Sequence, residues 1–483
     1  MENWNKLCRM TPKQIRDMQD RKLRAFMANQ IYLYSPYYSA KLKELKIDPV
    51  KVKGVDDLKH LPFTNKEDVA PTMENPGRHT QFVMRPDEEL SEKFGHMSKL
   101  SDKTAVENSI YDYKPVHMHF TTGRTAMPTP FVYTSRDIEN IREAGYRLLD
   151  VFNVTPDDVT LNAFPYAPHL AFWQTYFAGE KLCMPVLNSG GGKIMGTQNL
   201  LDAVEFLKPT VLVFIPGYAY YFLREAARQG RDFSTVRKVF FGGERVPPGL
   251  KQKIKALLEE MGANNPDCLA TYGITEARIA WGECPSEDNY YGYHTCPDME
   301  IFETIDPETG ENVGEGEEGE LVYTALDWRG TSLVRYRTGD VAKGGLIYEP
   351  CPNCGRPVPR ISSEIHRKSD YREFDLSKVK GTLVNLNNFY PLLMDHPDVQ
   401  EWQVEIRKRN NDPYDLDEIV LYVSPREGMD EEKLTSDLQQ RVQRDTEVSL
   451  NEIVYRDATE LIKQLGMETE LKEKRIVDNR PAG

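Results

Sequence analysis

The chain has little cysteine, fewer basic than acidic residues, and no long apolar run. Seven cysteines in 483 residues are an odd and low number. They exclude a disulfide framework and fit a reducing, cytoplasmic compartment. Lysine and arginine total 61 against 75 aspartates and glutamates, for a net charge of −14. Nucleic acid and anionic membrane surfaces select basic faces, so neither is expected as a partner. No apolar stretch approaches the roughly 18 residues of a spanning helix. The segment Met1-Glu2-Asn3-Trp4-Asn5-Lys6 has no apolar core, so no signal peptide is expected there. What remains is an ordinary globular composition, 40% hydrophobic and 28% charged, in a chain long enough for about three folding units.

Thr11 to Leu45 reads as mostly helical. Thr11-Pro12 is a start signal, Ile15, Met18, Leu23, Phe26, Met27 and Ile31 have helical spacing, and Tyr34 to Tyr38 interrupts it. The middle of the chain alternates: strands at Asp157–Ala163, Thr210–Ile215 and Val236–Phe241, helices at Leu200–Leu207, Tyr218–Ala227 and Leu250–Met261. Strand and helix in turn, with Gly/Pro joints, predict an α/β fold with a parallel sheet covered by helices. Ligands of such sheets sit at the carboxyl ends of the strands. After Leu269 short β runs take over, among them Glu320–Thr324 and Ser332–Tyr336. From near Asp370 a small α+β unit follows, with strands Gln403–Ile406 and Glu418–Val423 and a charged helix Asp430–Gln443.

Three segments carry chemistry. Thr121-Thr122-Gly123-Arg124-Thr125-Ala126-Met127-Pro128-Thr129 is rich in hydroxyls around one glycine. Such a loop can cradle phosphate, and read alone is also a polar surface loop. Thr271-Tyr272-Gly273-Ile274-Thr275-Glu276 sets an aromatic, a hydroxyl and a carboxylate on one turn, suited to a base, a phosphate and Mg²⁺, or simply a capped strand end. Arg335-Tyr336-Arg337-Thr338-Gly339-Asp340 ends on a carboxylate that can accept two ribose hydroxyls or serve as a turn residue.

In this order and spacing the three segments resemble the adenylate-forming superfamily and, within it, the phenylacetate-CoA ligase family. Leu61-Pro62-Phe63-Thr64 with Lys66 and Asp68 is similar to an early segment of that family, as is Pro209-Thr210-Val211-Leu212 through Pro216-Gly217-Tyr218-Ala219. Ile305-Asp306-Pro307 through Gly319-Glu320-Leu321-Val322 adds to the likeness, which runs from about Thr11 to Arg480. The resemblance implies a large N-terminal domain, residues 1–369, of helix-covered parallel sheets plus a small β section. A small mobile α+β domain, residues 370–483, follows it. It implies a ligase that joins a carboxylic acid to ATP as an acyl-adenylate and then to coenzyme A, with Mg²⁺ as cofactor and a homodimer as assembly.

Residue by residue, the resemblance places Thr121, Thr122, Gly123 and Thr125 on the phosphate loop and Gly243 and Glu244 beside the adenine. Tyr272 stacks on adenine, Thr275 binds the α-phosphate, Glu276 ligates Mg²⁺, Asp298 lies near the adenine amine and Asp340 holds the ribose. Lys368 stands for the family's ribose-binding arginine, Asp370 is the hinge, and Lys472 neutralises charge during adenylation. Departures are Arg124, Ala126 and Met127 in the phosphate loop, Arg367 for a hinge glycine and Leu471 for the glycine before the tail lysine.

Cys351-Pro352-Asn353-Cys354 is a C-x-x-C knuckle, with Cys284 and His294 upstream. Three thiolates and an imidazole make a closed zinc shell. A redox pair is the rival, but the helix it expects is missing, since Pro357 and Pro359 follow; two unligated cysteines in a turn are the plain alternative, and Cys296 is a substitute candidate for one ligand. The acid pocket falls by resemblance on Tyr166, His169, Trp173 and Ile274. That aromatic density is either a wall for an aryl acid or a block that leaves room for a small, for instance hydroxylated, acid. Two other functions fit the same motifs: transfer of the acyl group to a carrier protein instead of CoA, and non-catalytic nucleotide binding.

Overall fold

A computed structural model of the chain describes residues 1–86, 111–121, 128–244, 246, 248–286, 291–367, 376–379, 382–411, 417–446, 448–467 and 473–480. It divides into two compact units, each discontinuous in sequence. One holds Met1–Asp158, Tyr166–Val186 and Leu269–His366, the other Val159–Pro165, Leu187–Cys268 and Arg367–Gly483.

In the first unit, Thr11 caps the helix Pro12–Phe26. Its Oγ1 accepts from the Gln14 N–H at 3.2 Å and Gln14 Oε1 accepts from the Thr11 N–H at 2.8 Å, which satisfies two amides at once. The expected interruption at Tyr34–Tyr38 narrows to one extended residue, Ser35, because Pro36 opens the next helix, Pro36–Glu44. Helices Ser135–Val151 and Leu170–Leu182 approach at Gly145, where a Cβ would lie 2.7 Å from that of Ala178. Strands Glu300–Ile305, Gly319–Ala325, Tyr336–Ala342 and Ile365–Arg367 form a four-stranded sheet in that order. The strand expected at Ser332–Tyr336 therefore starts only at Tyr336. Arg335 adopts φ 48°, which breaks extended pairing. Its guanidinium turns inward onto Glu303 at 3.1 Å and over the Phe63 ring at 4.1 Å.

Glu300 on this sheet is fully buried. It accepts from Trp281 Nε1–H and the Cys296 N–H, each at 2.7 Å, yet burial pushes its carboxyl up to about 8. An unfolded chain ionises this group near 4.5, so between there and about 8 folding takes up a proton. Stability then falls as pH rises across that window. Glu300→Gln keeps the accepting oxygen and removes the titration. Thermal unfolding should show the variant melting above the parent at about pH 8 and with it at about pH 4; a constant offset at both would remove the explanation.

In the second unit, strands Thr160–Asn162, Val211–Phe214 and Lys238–Phe241 pair in parallel. Helices Thr197–Leu207, Pro216–Arg228 and Pro248–Glu260 accompany them. Both faces of the two longer strands are buried, the pattern of a helix-covered parallel sheet. A four-stranded sheet follows in the order Glu452–Tyr455, Asp417–Pro425, Val399–Lys408, Ile476–Asp478, antiparallel at its centre and parallel at both edges. Leu434, Leu438 and Val442, four apart on helix Glu431–Thr446, pack on its apolar face. Among the described residues no helix is long and apolar enough to cross a membrane.

Candidate active site

Strands Asp267–Ile274 and Ile279–Gly282 pair antiparallel, with Tyr272 opposite Trp281 and Gly273 opposite Ala280. A Cβ on Gly273 would come 2.5 Å from that of Ala280, so glycine permits this close crossing. The connecting turn ends at Arg278, held at φ 65°. Its enclosed guanidinium reaches Asp137 Oδ2 and the Val132 carbonyl, each at 3.3 Å, and lies 4.2 Å from the Trp328 ring centre. That anchor fixes one end of the turn and leaves Thr275 and Glu276 half-buried.

Two side-chain hydrogen bonds stitch this turn to strand Tyr336–Ala342. Tyr272 Oη donates to Asp340 Oδ2 at 2.7 Å, and Tyr336 Oη donates to Glu276 Oε1 at 3.2 Å. Asp340 is 3% exposed and its own N–H is held by Thr338 Oγ1 at 3.0 Å. Three of the residues read from the motifs thus meet in space. Tyr336 and Arg278 were given no role in the sequence reading, although Tyr336 stands inside a motif already singled out. Ile274 is buried at 6%.

The other expected residues fall elsewhere. Thr121 closes the base of its loop, its N–H donating to the Thr129 carbonyl at 3.1 Å and its Oγ1 accepting from the Thr129 N–H at 3.2 Å. Thr122, Gly123 and Thr125 lie outside the described residues, as do Lys368, Asp370 and Lys472. Gly243, at φ 84°, and half-buried Glu244 follow strand Lys238–Phe241. Glu244 lines a narrow cleft of the second unit with Gly191, Ile215, Gly217 and Tyr218. Asp298, expected near the adenine amine, lies in the first unit. It is fully enclosed, takes both arms of Arg147 at 2.5 and 3.2 Å and accepts from the Glu2 N–H at 2.8 Å. Burial opposes its charge, but Arg147 prevails and holds the carboxyl below its ordinary range. Such a carboxylate is engaged in an internal ion pair.

The aromatic segment lies in the first unit. Tyr166, 63% exposed, leans on Phe172 and Trp173 at 5.0 and 5.8 Å between ring centres. Trp173 Nε1–H donates to the Ala167 carbonyl and His169 Nδ1–H to the Phe120 carbonyl, each at 3.2 Å.

Cys284, His294, Cys351 and Cys354 converge, their ligand atoms all within 4.8 Å of one another. The Cys284 and Cys351 sulfurs are 3.8 Å apart. That is far beyond a disulfide at about 2.05 Å and matches the edge of a tetrahedron with metal–sulfur bonds of about 2.3 Å. His294 Nδ1–H donates to the Gly282 carbonyl at 3.3 Å, so the Nε2 lone pair faces Cys354 Sγ, 3.2 Å away. Asn353 Nδ2–H donates to Cys284 Sγ at 3.1 Å. The hydrogen bond from Cys284 pulls the thiols of Cys351 and Cys354 down and holds that of Cys284 up. Cys296 is buried apart from this group, beside Arg147 and Glu300. The cluster closes the end of the 267–282 strand pair opposite to the Thr275–Glu276 turn.

Known proteins match this chain over most of its length. The family of AMP-binding enzymes matches residues 50–325. A phenylacetate-coenzyme A ligase of Thermus thermophilus is 26% identical over 423 residues, 86% of this chain and 82% of the relative. One from Escherichia coli K12 is 25% identical over 416 residues, 79% of this chain and 86% of the relative. The fold is shared with the solved structure of a 2-hydroxyisobutyryl-CoA ligase in the postadenylation state. The TM-score is 0.72 at 21% identity, over 97% of this chain and 90% of the other. With more than half of its residues matched, the chain belongs to the AMP-binding enzyme family, within the adenylate-forming superfamily.

Proposed function

We propose that the chain is an ATP-dependent, AMP-forming carboxylic acid–CoA ligase of the phenylacetate-CoA ligase kind, acting on a compact acid. The supporting observation is the pair of hydrogen bonds that joins Tyr272 to Asp340 and Glu276 to Tyr336. A nucleotide needs these groups together: a ring for the base, a carboxylate for two ribose hydroxyls, and a hydroxyl and carboxylate at the phosphates.

A carboxylate oxygen of the acid attacks the α-phosphorus of ATP, and pyrophosphate leaves. The CoA thiol then attacks the acyl carbon and gives up its proton, and AMP leaves. Tyr272 offers its face to the adenine, Asp340 accepts from the ribose, and Thr275 donates to an α-phosphoryl oxygen. Mg²⁺, when bound, supplies charge neutralisation at the phosphoryl oxygens; Glu276 holds it, and Tyr336 orients Glu276 by its hydrogen bond. Gly243 and Glu244 belong beside the adenine, Thr121 with Thr122, Gly123 and Thr125 at the phosphates, and Lys368 at the ribose. Asp370 is the hinge of residues 370–483, and Lys472 is the adenylation lysine. Zinc belongs to Cys284, His294, Cys351 and Cys354, where it braces the strand pair that carries the turn.

The acid site comprises Tyr166, His169, Trp173 and Ile274. Rings crowded around Trp173 favour a short hydroxy or aliphatic acid over an aryl one. AMP release measured over short hydroxy, short aliphatic and aryl acids tests this. Best turnover with aryl acids removes the compact-acid reading, and no AMP with any acid removes the ligase. AMP release without CoA consumption favours a carrier protein as acceptor. Asp340→Ala should raise the KM for ATP by roughly 10–100-fold, since a hydrogen bond to a charged group is worth about 1.5–3 kcal/mol. An unchanged KM speaks against ribose binding there.

A further inference from the structure

Helix Pro216–Arg228 begins at Ile215, which offers no side-chain cap. Its first turn instead meets a carboxylate from the far end of the chain. Glu473 lies so close to Gly217 that a Cβ there would overlap the carboxylate oxygen, and negative charge is favoured at such a helix start. Glu473 is paired in turn with Arg475, through Oε1 to Nε and through Oε2 to Nη2, the latter at 3.0 Å.

Arg475 is 2% exposed. Its Nη1 lies 3.1 Å from Glu401 Oε2, and its guanidinium sits 5.2 Å from the Trp402 ring centre. Glu401 is fully enclosed, and its other oxygen faces Arg224 Nη1 at 3.9 Å. Arg224 lies on helix Pro216–Arg228, seven residues after Gly217 and so on the same face. The circuit therefore leaves the helix at Gly217, runs through Glu473, Arg475 and Glu401, and returns to it at Arg224. Two cations and two anions cancel within it. Its members are separated by long stretches of sequence, and a buried charge left without its partner is costly. The four charges therefore depend on one another, Arg224 and Glu401 facing each other as charges at 3.9 Å without a hydrogen bond.

A second tether lies beside it. Lys253 Nζ, on helix Pro248–Glu260, donates to the carbonyls of Met394, His396 and Val399 at 2.8, 3.2 and 3.0 Å. Residues 473–475 are also tied to the Val399–Lys408 strand: the Val404 N–H donates to the Arg475 carbonyl at 2.8 Å, and Gln403 Nε2–H to that of Lys474 at 2.6 Å. Whatever holds Glu401 and Arg475 on the helix thus holds the whole edge Ile476–Asp478.

We propose that Arg224, Glu401, Arg475 and Glu473 are positioning residues that latch the chain's last described segment onto helix Pro216–Arg228 for acyl-adenylate formation and release it for thioester formation. This rests on the reading of Lys472, the residue before Glu473 in the chain, as the adenylation lysine. None of the four touches the reacting atoms; their part is to make one arrangement of the segment discrete. Arg224 is the residue to change, because it is the partly exposed member of the circuit.

Arg224→Met should lower acid-dependent pyrophosphate exchange about tenfold, within the usual range of coupling between conformational states. Thioester formation from supplied acyl-adenylate should be unchanged or faster, and Arg224→Lys should restore most of the exchange. Equal loss in both half-reactions, or full exchange in a folded Arg224→Met protein, overturns the proposal. Amide hydrogen exchange over 399–408 and 473–478 reads the latch without any activity and should be faster in Arg224→Met than in the parent. Unchanged protection also overturns it. Lys472→Ala measured in parallel separates the two ideas: intact adenylation in that variant refutes the lysine's role, whereas its loss beside an unaffected Arg224→Met refutes the latch alone.

Discussion

Lys472→Ala should cut acyl-adenylate formation by roughly 10²–10³-fold, the usual cost of removing one preorganised group that meets charge developing in the transition state. The physical reason is the charge carried by the reaction. As the acid's oxygen closes on the α-phosphorus, negative charge gathers on the phosphoryl oxygens and on the departing pyrophosphate. By resemblance Met127 stands where the phosphate loop has a lysine and Arg124 is the cation that can compensate, beside the tail lysine and Mg²⁺. Thioester formation from supplied acyl-adenylate breaks the acyl C–O bond, leaves the α-phosphorus untouched and releases no pyrophosphate, so it does not draw on that lysine. Isotope exchange between pyrophosphate and ATP measures the first step, and thiol consumption on added adenylate the second. Equal loss in both steps contradicts the assignment.

The second large effect concerns Cys351→Ser. It removes one of three sulfurs from a group whose ligand atoms lie within 4.8 Å of one another. Purified parent should carry about one zinc per chain, and the variant should carry little. Losing a structural metal belongs to the class of changes costing more than about 4 kcal/mol. Here the loss is local before it is global. Gly282 pairs with His294, and Cys284 lies two residues beyond. Without the metal the open end of the strand pair frays first. Adenylation should therefore fall through a higher KM for ATP as the Tyr272 turn loses its brace, with a large drop in melting temperature. A metal-free parent that is fully active and equally stable removes zinc from the account.

Local pattern made the helix beginning at Thr11-Pro12 legible, because a capping box is a matter of four consecutive residues. It also made the strand–helix alternation of Thr160–Glu260 legible, because burial on both faces writes continuous apolar runs. The convergence of Cys284, His294, Cys351 and Cys354 could be read from residue type and order, since such a set suits a closed metal shell. Arg335 shows the limit. Its run looked extended, but a buried Glu303 from a distant strand and the Phe63 ring draw it into a left-handed turn. Asp298 shows another, for its acidic character was plain while its partner Arg147 lies 151 residues away.

The amino-acid order alone determined which groups are available: the Tyr272–Glu276 turn, Asp340, the cysteine–histidine set, and the alternation that yields a parallel sheet. Only the tertiary structure decided which of them face one another. It set Tyr336 on Glu276, consumed Asp298 in an ion pair, and closed the ring from Gly217 through Glu473 and Glu401 to Arg224. The reason is that hydrogen bonds and ion pairs act over a few ångströms whatever the separation in sequence, while propensity and periodicity act only between neighbours in the chain.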